Sequence, residues 1–378
     1  MTVFGTRPEA IKMAPVVAAL NRYPKQIESL VCVTAQHRGM LDQVLALFDI
    51  TPDVDLNLMQ AQQDLTDITC RVLAGMRDVL TEHQPDLVLV HGDTTTTMAC
   101  SLACFYAQIP VGHVEAGLRT FDPYYPFPEE MNRVVADWIS ALHFAPTQRS
   151  CDNLIKAGAD KGSIVLTGNT VIDALKTTLA RTTDHPAAVT LDPTKRMVLV
   201  TVHRRENFGE PLTEICRGLK TLIDRFDDIE LVWPVHPNPN VKPIVEAAFA
   251  GIDRVKQIEP VDYAAFCQLL DACHLVLTDS GGIQEEAPSL QKPVLVLRDE
   301  TERPEAVDMG TVKLVGPHAD RIIAEASLLL SDPAAYATMA QAANPYGDGY
   351  AAERIVAAIA DRFKLQLATV SAVPTLAF

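Results

Sequence analysis

Short, continuously apolar runs alternate with longer stretches of helical period along the whole chain, and this alternation constrains the fold more than any other feature. Strands are expected over 2–4, 30–34, 87–91, 111–114, 142–145 and 164–167, then over 197–201, 230–235, 255–258, 274–278, 294–297 and 312–314. Helical segments are expected between them, for example at 9–20, 65–82 and 96–107, and again at 212–226, 244–250 and 263–270. Most strand runs are apolar at successive positions, so both strand faces seek burial, as in a parallel sheet covered by helices. The strand–helix pattern is played out twice, which gives an α/β fold of two doubly wound, Rossmann-like domains. The expected boundaries are 1–167 for the N-terminal domain (completed by a C-terminal helix at about 353–366), 168–352 for the C-terminal domain, and a frayed tail over 367–378. A Thr-, Pro- and Ala-rich stretch at 182–193 lies close to the junction. Ligands of such sheets sit at the carboxyl ends of the strands. Two sheets facing across a cleft would therefore draw their functional groups from the loops that follow the strands.

A length of 378 residues suits two such domains. The net charge of −16 argues against a generic nucleic-acid or anionic-membrane surface, yet local Arg and Lys can still make a cleft that takes a small anion. No apolar run approaches the ~18–20 residues that span a bilayer. Met1 opens into Thr2-Val3-Phe4-Gly5 without a basic or signal-type start, so a cytoplasmic location is expected. The first strand begins at residue 1 or 2, an abrupt start that suggests a few natural residues ahead of it. The eight cysteines (Cys32, Cys70, Cys100, Cys104, Cys151, Cys216, Cys267 and Cys273) show no CxxC spacing and read as buried free thiols rather than disulfides or zinc ligands. GxxxxGK[ST], HExxH and nucleophile-elbow motifs are absent from the sequence. Gly347-Asp348-Gly349-Tyr350-Ala351-Ala352 has formal GxGxxA spacing but follows Asn344-Pro345-Tyr346 instead of a strand, and reads as a turn before the last helix.

In the first half, strand one runs into Gly5-Thr6-Arg7-Pro8-Glu9-Ala10-Ile11-Lys12. A helix start with free N–H groups favours an anion, and the Arg7 guanidinium suits phosphate; Lys12 follows one turn on. The third strand ends in His91-Gly92-Asp93, where Asp93 either caps the next helix or points its carboxylate into the cleft. Glu115, in Gly112-His113-Val114-Glu115-Ala116-Gly117-Leu118-Arg119, directly follows an apolar strand; a purely structural role would pair it with Arg119 or Arg133. In Phe127-Pro128-Glu129-Glu130 the acids occupy a first helical turn, and Glu130 reads as a helix-dipole partner. Three strand-end or loop carboxylates in one domain look like acid–base equipment.

In the second half, His203, Arg204 and Arg205 follow a strand, with His203 a proton-transfer or phosphate-contacting group; His236 follows the next strand. Thr278-Asp279-Ser280-Gly281-Gly282-Ile283-Gln284-Glu285-Glu286 carries the sharpest phosphate signal. There, Ser280 and the helix-start amides beside Gly281 and Gly282 can grip a diphosphate, and Glu286 can accept two ribose hydroxyls. Arg303, in the loop after the next strand, completes that group.

These stretches, together with Ala35-Gln36-His37-Arg38, Gly168-Asn169-Thr170, Ala287-Pro288-Ser289 and Glu302-Arg303-Pro304-Glu305, run in order along nearly the whole chain. The chain closely resembles the bacterial non-hydrolysing UDP-N-acetylglucosamine 2-epimerases, whose two domains have the glycosyltransferase-B arrangement. The resemblance implies that Asp93, Glu115, Glu129 and His203 surround the sugar and do the acid–base work. It implies that Arg7, Lys12, His236, Ser280, Gly281, Gly282, Glu286 and Arg303 hold UDP, with Arg133 in the substrate-binding set, and that Phe266 and the backbone near Val261 line the uracil pocket. It further implies a second UDP-N-acetylglucosamine beside the substrate as an activator, at positions matched by Gln36, Gln63, Glu129 and Arg204, although Gln62 and Gly39 stand where relatives often carry an Arg and a Gln.

The implied reaction interconverts UDP-N-acetylglucosamine and UDP-N-acetylmannosamine by elimination and re-addition of UDP through a glucal. It needs no metal or other cofactor, and the product feeds surface polysaccharide. A homodimer is implied, with neither nucleic acid nor membrane as partner. Rival readings are a hydrolysing relative that releases N-acetylmannosamine and UDP, a glycosyltransferase on the same fold, and a non-catalytic nucleotide-sugar sensor.

Overall fold

The computed structural model describes residues 1–35, 38–58, 60, 63–182, 189–367 and 376, without the side chain of Arg38. It divides into two compact units, one built from residues 1–177 with a return segment from Tyr346 onward, the other from Thr178–Pro345.

The first unit holds strands β1 (Thr2–Phe4), β2 (Val31–Val33), β3 (Val54–Asp55), β4 (Val88–His91), β5 (Val111–Val114), β6 (Leu142–Ala145) and β7 (Ile164–Leu166). They form one sheet in the order β3-β2-β1-β4-β5-β6-β7, with every pairing parallel. The second unit holds β8 (Arg196–Thr201), β9 (Ile229–Pro234), β10 (Val255–Ile258), β11 (Leu275–Thr278), β12 (Val294–Val296) and β13 (Val312–Leu314), again all parallel, in the order β10-β9-β8-β11-β12-β13. The expected doubly wound α/β architecture is present in both units. In each, the order reverses between two central neighbours, β1 and β4 in the first and β8 and β11 in the second. Such switch points open a crevice at the carboxyl ends of the strands.

The central strands are buried on both faces, which is why their sequences run apolar at consecutive positions. In the second unit Trp233 packs edge-on to Phe249 within a core that also takes Leu212, Leu219 and Leu295. β3 was not expected: it is a two-residue edge strand with a half-buried and an exposed residue, too short to make an apolar run. Seven cysteines are buried free thiols as expected; Cys70 is free but exposed. Among the described residues no helix is long and apolar enough to cross a membrane. The expected tail at 367–378 falls largely outside the described residues.

The first unit reaches past residue 167 and takes the chain back earlier than 353. The Asn169 amide donates to the Tyr346 carbonyl at 2.7 Å. The Asp173 carboxylate accepts the amides of Ala351 (3.2 Å) and Ala352 (2.8 Å), at the start of the helix Ala351–Phe363. Arg354 donates to the Thr167 carbonyl and to both carboxylate oxygens of Asp348. These bonds close the unit through segments far apart in sequence, which no local pattern specifies. Gly347 lies in the turn before that last helix, as its sequence context implied.

Burial pushes the Asp173 carboxyl up to about 7, with Glu353 adding to the rise and the two amides opposing it. An acid raised in the folded state is favoured there in its protonated form, so its contribution is fully present below the ordinary Asp range and is lost as pH rises towards 7. The loss amounts to roughly 4 kcal/mol. Asp173→Asn keeps an acceptor for the amides and cannot ionise. Denaturant unfolding from about pH 4 to about pH 8 is expected to show the variant gaining on the wild type by this order as pH rises; parallel pH curves would contradict it.

Candidate active site

The first unit's groups converge on loops at the carboxyl ends of β1, β4, β5 and β7. After β1 the helix Arg7–Leu20 starts with a reciprocal cap between Thr6 and Glu9, and Pro8 sits in its first turn. Glu9 also accepts the Gly5 amide at 3.0 Å and the Thr94 hydroxyl at 2.6 Å, which ties this loop to the one after β4. Arg7 is half-buried at the helix start. Lys12, one turn on, donates to the Glu115 carboxylate.

Glu115 follows β5 with φ +64°, a left-handed conformation that costs a non-glycine residue about 1–2 kcal/mol. Its Oε2 also accepts from Asn169 Nδ2 at 2.7 Å. A structural pairing of Glu115 with Arg119 or Arg133 is not what forms: Arg119 bonds Asp137 at 2.6 Å, and Arg133 bonds Asp93 at 2.6 Å.

Thr94, not Asp93, caps the helix Thr95–Tyr106, through a 3.1 Å bond from the Thr97 amide. The Asp93 side chain instead lies against Arg133. Burial raises the Asp93 carboxyl; Arg133 pulls it back and Glu115 raises it further. Two neighbouring carboxylates thus sit in unlike settings, one against an ammonium and an amide, the other against a guanidinium. Unlike settings are what separate an acid from a base.

Glu129 opens the helix Glu129–Ile139, half-buried, with its Oε2 buried and lacking a hydrogen-bond partner among the described residues. Glu130 accepts the amides of Thr120 and Phe121 at 3.1 and 3.0 Å, in keeping with a structural role.

In the second unit the loop after β8 is held by Asp279, which follows β11 and is fully buried. Its carboxylate accepts the His203 and Arg204 amides at 3.0 and 2.8 Å and Asn207 Nδ2 at 3.0 Å, and lies 3.1 Å from His203 Nδ1. Burial alone would raise this carboxyl, but the His203 ring and the Arg204 amide hold it below its ordinary value. The His203 side chain, 42% exposed, is therefore anchored at its root and open at its tip. His236, after β9, accepts the Asn238 amide on Nδ1 at 3.2 Å, and its ring lies 6.4 Å from that of His203.

After β11, Ser280 stands before the short helix Gly281–Glu286 with no side-chain cap bond, while its amide donates to the Thr278 hydroxyl at 2.9 Å. The Arg303 guanidinium lies on Gly281, where a Cβ would collide with its Nη1. Arg303 is steadied by Glu285 at 2.8 Å. Around Gly282 a Cβ would meet nothing within 4 Å, so the backbone is approachable. The buried Glu286 accepts the Tyr263 hydroxyl at 2.7 Å. Val261 and Phe266 are half-buried, before and within the helix Tyr263–Ala272. Arg298 clamps Glu206 to Glu302 and holds the Glu302 carboxyl down to about 2 against the rise that burial would cause.

Of the positions matched to an activator site, Gln36 and the departing Gln62 lie outside the described residues. Gln63 has its carbonyl occupied by the Gln60 amide and the Arg71 guanidinium at 3.1 and 3.3 Å. Arg204 has a buried Nε without a partner among the described residues. The departing Gly39 lies in the helix Arg38–Leu47 with open space about it.

Several supporting groups were not singled out from the sequence. His91, at the end of β4, is buried with both ring nitrogens unpartnered among the described residues, and Nε2 lies 3.9 Å from Glu115 Oε2. Burial pushes it down to about 3, so the ring beside that carboxylate is neutral. Its strand-end position was the available signal. Asp279 and Tyr263 offered only their closeness to the glycine pair and to Phe266. Among the described residues no group of three His, Cys, Asp or Glu is placed to hold a metal ion.

The profile of the family described as UDP-N-acetylglucosamine 2-epimerase matches residues 18–360. The UDP-N-acetylglucosamine 2-epimerase of Escherichia coli (strain K12) is 54% identical over 370 residues, which cover 95% of this chain and 97% of that protein. That of Bacillus subtilis (strain 168) is 54% identical, covering 94% and 93%. The crystal structure of the Neisseria meningitidis UDP-GlcNAc 2-epimerase, bound to UDP-GlcNAc, superposes with a TM-score of 0.87 at 48% identity, covering 95% of this chain and 99% of that one.

Proposed function

The chain belongs to the UDP-N-acetylglucosamine 2-epimerase family, and from that premise we propose that it interconverts UDP-N-acetylglucosamine and UDP-N-acetylmannosamine without net hydrolysis. The observation that carries the reading is the pair of differently held carboxylates, Asp93 against Arg133 and Glu115 against Lys12 and Asn169, at neighbouring strand ends of the first unit.

The C2 hydrogen of the sugar is not beside a carbonyl, so simple deprotonation is too costly. Elimination solves this. A base removes the C2 proton, the electron pair forms the C1–C2 double bond, and the C1–O bond breaks with its electrons leaving on UDP. The glucal and UDP stay bound. Re-addition returns the oxygen to C1 while a proton reaches C2 from the opposite face. Protons and electrons balance with no oxidant consumed. In this reading Asp93, Glu115, Glu129 and His203 exchange the protons, with each acid or base contributing about 10²–10⁴ in rate. Arg7, Lys12, His236, Ser280, Gly281, Gly282 and Arg303 stabilise the departing diphosphate, where negative charge develops. Glu286 receives ribose, Val261 and Phe266 receive the uracil, and Arg133 orients Asp93.

Incubation with UDP-N-acetylglucosamine alone, followed by proton NMR of the sugar, tests this. UDP-N-acetylmannosamine is expected. Free N-acetylmannosamine with UDP would mark a hydrolysing enzyme, and an unchanged sugar would mark a transferase or a sensor. In the cell the product would supply N-acetylmannosamine units to surface polysaccharide.

A homodimer is the second part of the proposal. Phe105, Tyr106 and Trp138 are 62%, 70% and 74% exposed, near the ends of two helices, Thr95–Tyr106 and Glu129–Ile139, that pack together. Aromatic side chains left this open suit burial against a second copy. Sedimentation is expected to give a dimer that Trp138→Glu weakens; a monomeric wild type would contradict it.

A further inference from the structure

We infer that His113, held by Asp137, acts as a positioning residue for the Gly92–Asp93 turn. His113 lies on β5 and is 0% exposed. Its Nδ1 is 2.5 Å from Asp137 Oδ1, and its Nε2 is 2.7 Å from the Gly92 carbonyl oxygen. A carbonyl oxygen can only accept. Nε2 is therefore the donor to Gly92, and Asp137 holds the ring from its other side.

Asp137 is itself anchored: its second oxygen accepts Arg119 Nη2 at 2.6 Å and the Gly117 amide at 3.3 Å.

The cluster grips the turn from both sides. The Gly92 amide donates to the Val114 carbonyl at 2.9 Å, and the Gly92 carbonyl is held by His113. Gly92 has φ +66°, a conformation that glycine takes at little cost. The direction in which Asp93 leaves β4 is therefore set with the help of a fully buried group. This inference rests on reading Asp93 as an acid–base residue.

The test is the kinetics of His113→Gln, which is expected to lower kcat about 10²-fold, as a misplaced catalytic group does, with KM within about twofold. If His113→Gln does not fold, Asp137→Asn is read for the same split. A wild-type kcat in the folded variant, alongside a damaged Asp93→Asn, would overturn the positioning role and leave the Asp93 assignment standing. A wild-type kcat in Asp93→Asn as well would instead remove the reading of Asp93 on which that role rests.

Discussion

Asp93→Asn is expected to lower turnover by about 10²–10⁴-fold while leaving the fold and UDP binding in place. The substitution removes a proton-transfer group and little else. Arg133 keeps Glu130, 3.4 Å away, as a counter-charge. The bond from Asn132 goes to the main-chain oxygen of residue 93, and the following helix is capped by Thr94, so neither depends on the carboxylate. Turnover measured by NMR, with thermal unfolding and UDP calorimetry alongside, separates the two properties. Wild-type turnover would take Asp93 out of the reaction.

Glu115→Gln is expected to lower turnover on the same scale but also to destabilise the protein. Lys12 and Glu115 are 13% and 10% exposed, and removing one charge of such a largely buried pair costs about 3–5 kcal/mol. Lys12→Met combined with Glu115→Gln is expected to recover most of that stability in denaturant unfolding, because both charges of the pair are then replaced together. Turnover is expected to stay low in the double variant. Its recovery together with stability would mean that Glu115 serves the fold alone. The contrast with Asp93→Asn follows from partners: Arg133 keeps Glu130 beside it when Asp93 changes, whereas the Glu115 change alters bonds from both Lys12 and Asn169.

The sheets were legible because a strand covered on both faces must be apolar at successive positions, as Val88–His91 and Leu275–Thr278 largely are. β3 was not, since two residues at an edge carry no period. The candidate positions were legible for a related reason: once strands are placed, the residues after them lie at the carboxyl edge of the sheet, and Arg7, Asp93, Glu115, His203, His236 and Ser280 all fall there. What the sequence left open was the choice of partner. Glu115 could have met Arg119 or Arg133 on its own side of the chain; it meets Lys12 and Asn169 because β1 and β7 deliver those side chains to it. Asp279 as the anchor of His203, and Tyr263 as the donor to Glu286, are likewise contacts between loops of different strands. Such pairings depend on how strands are ordered in the sheet, which local periodicity does not encode. The same holds for the return of the chain at Tyr346, fixed by Asn169 and Asp173.

The central claim is that the strand-end carboxylates exchange the C2 proton of a UDP-linked sugar. Turnover of UDP-N-acetylglucosamine in heavy water, read by proton NMR at C2, tests it most directly. The expected result is UDP-N-acetylmannosamine carrying deuterium at C2, formed without any acceptor and almost abolished in Asp93→Asn. Epimerisation with the original hydrogen retained at C2 would contradict the claim.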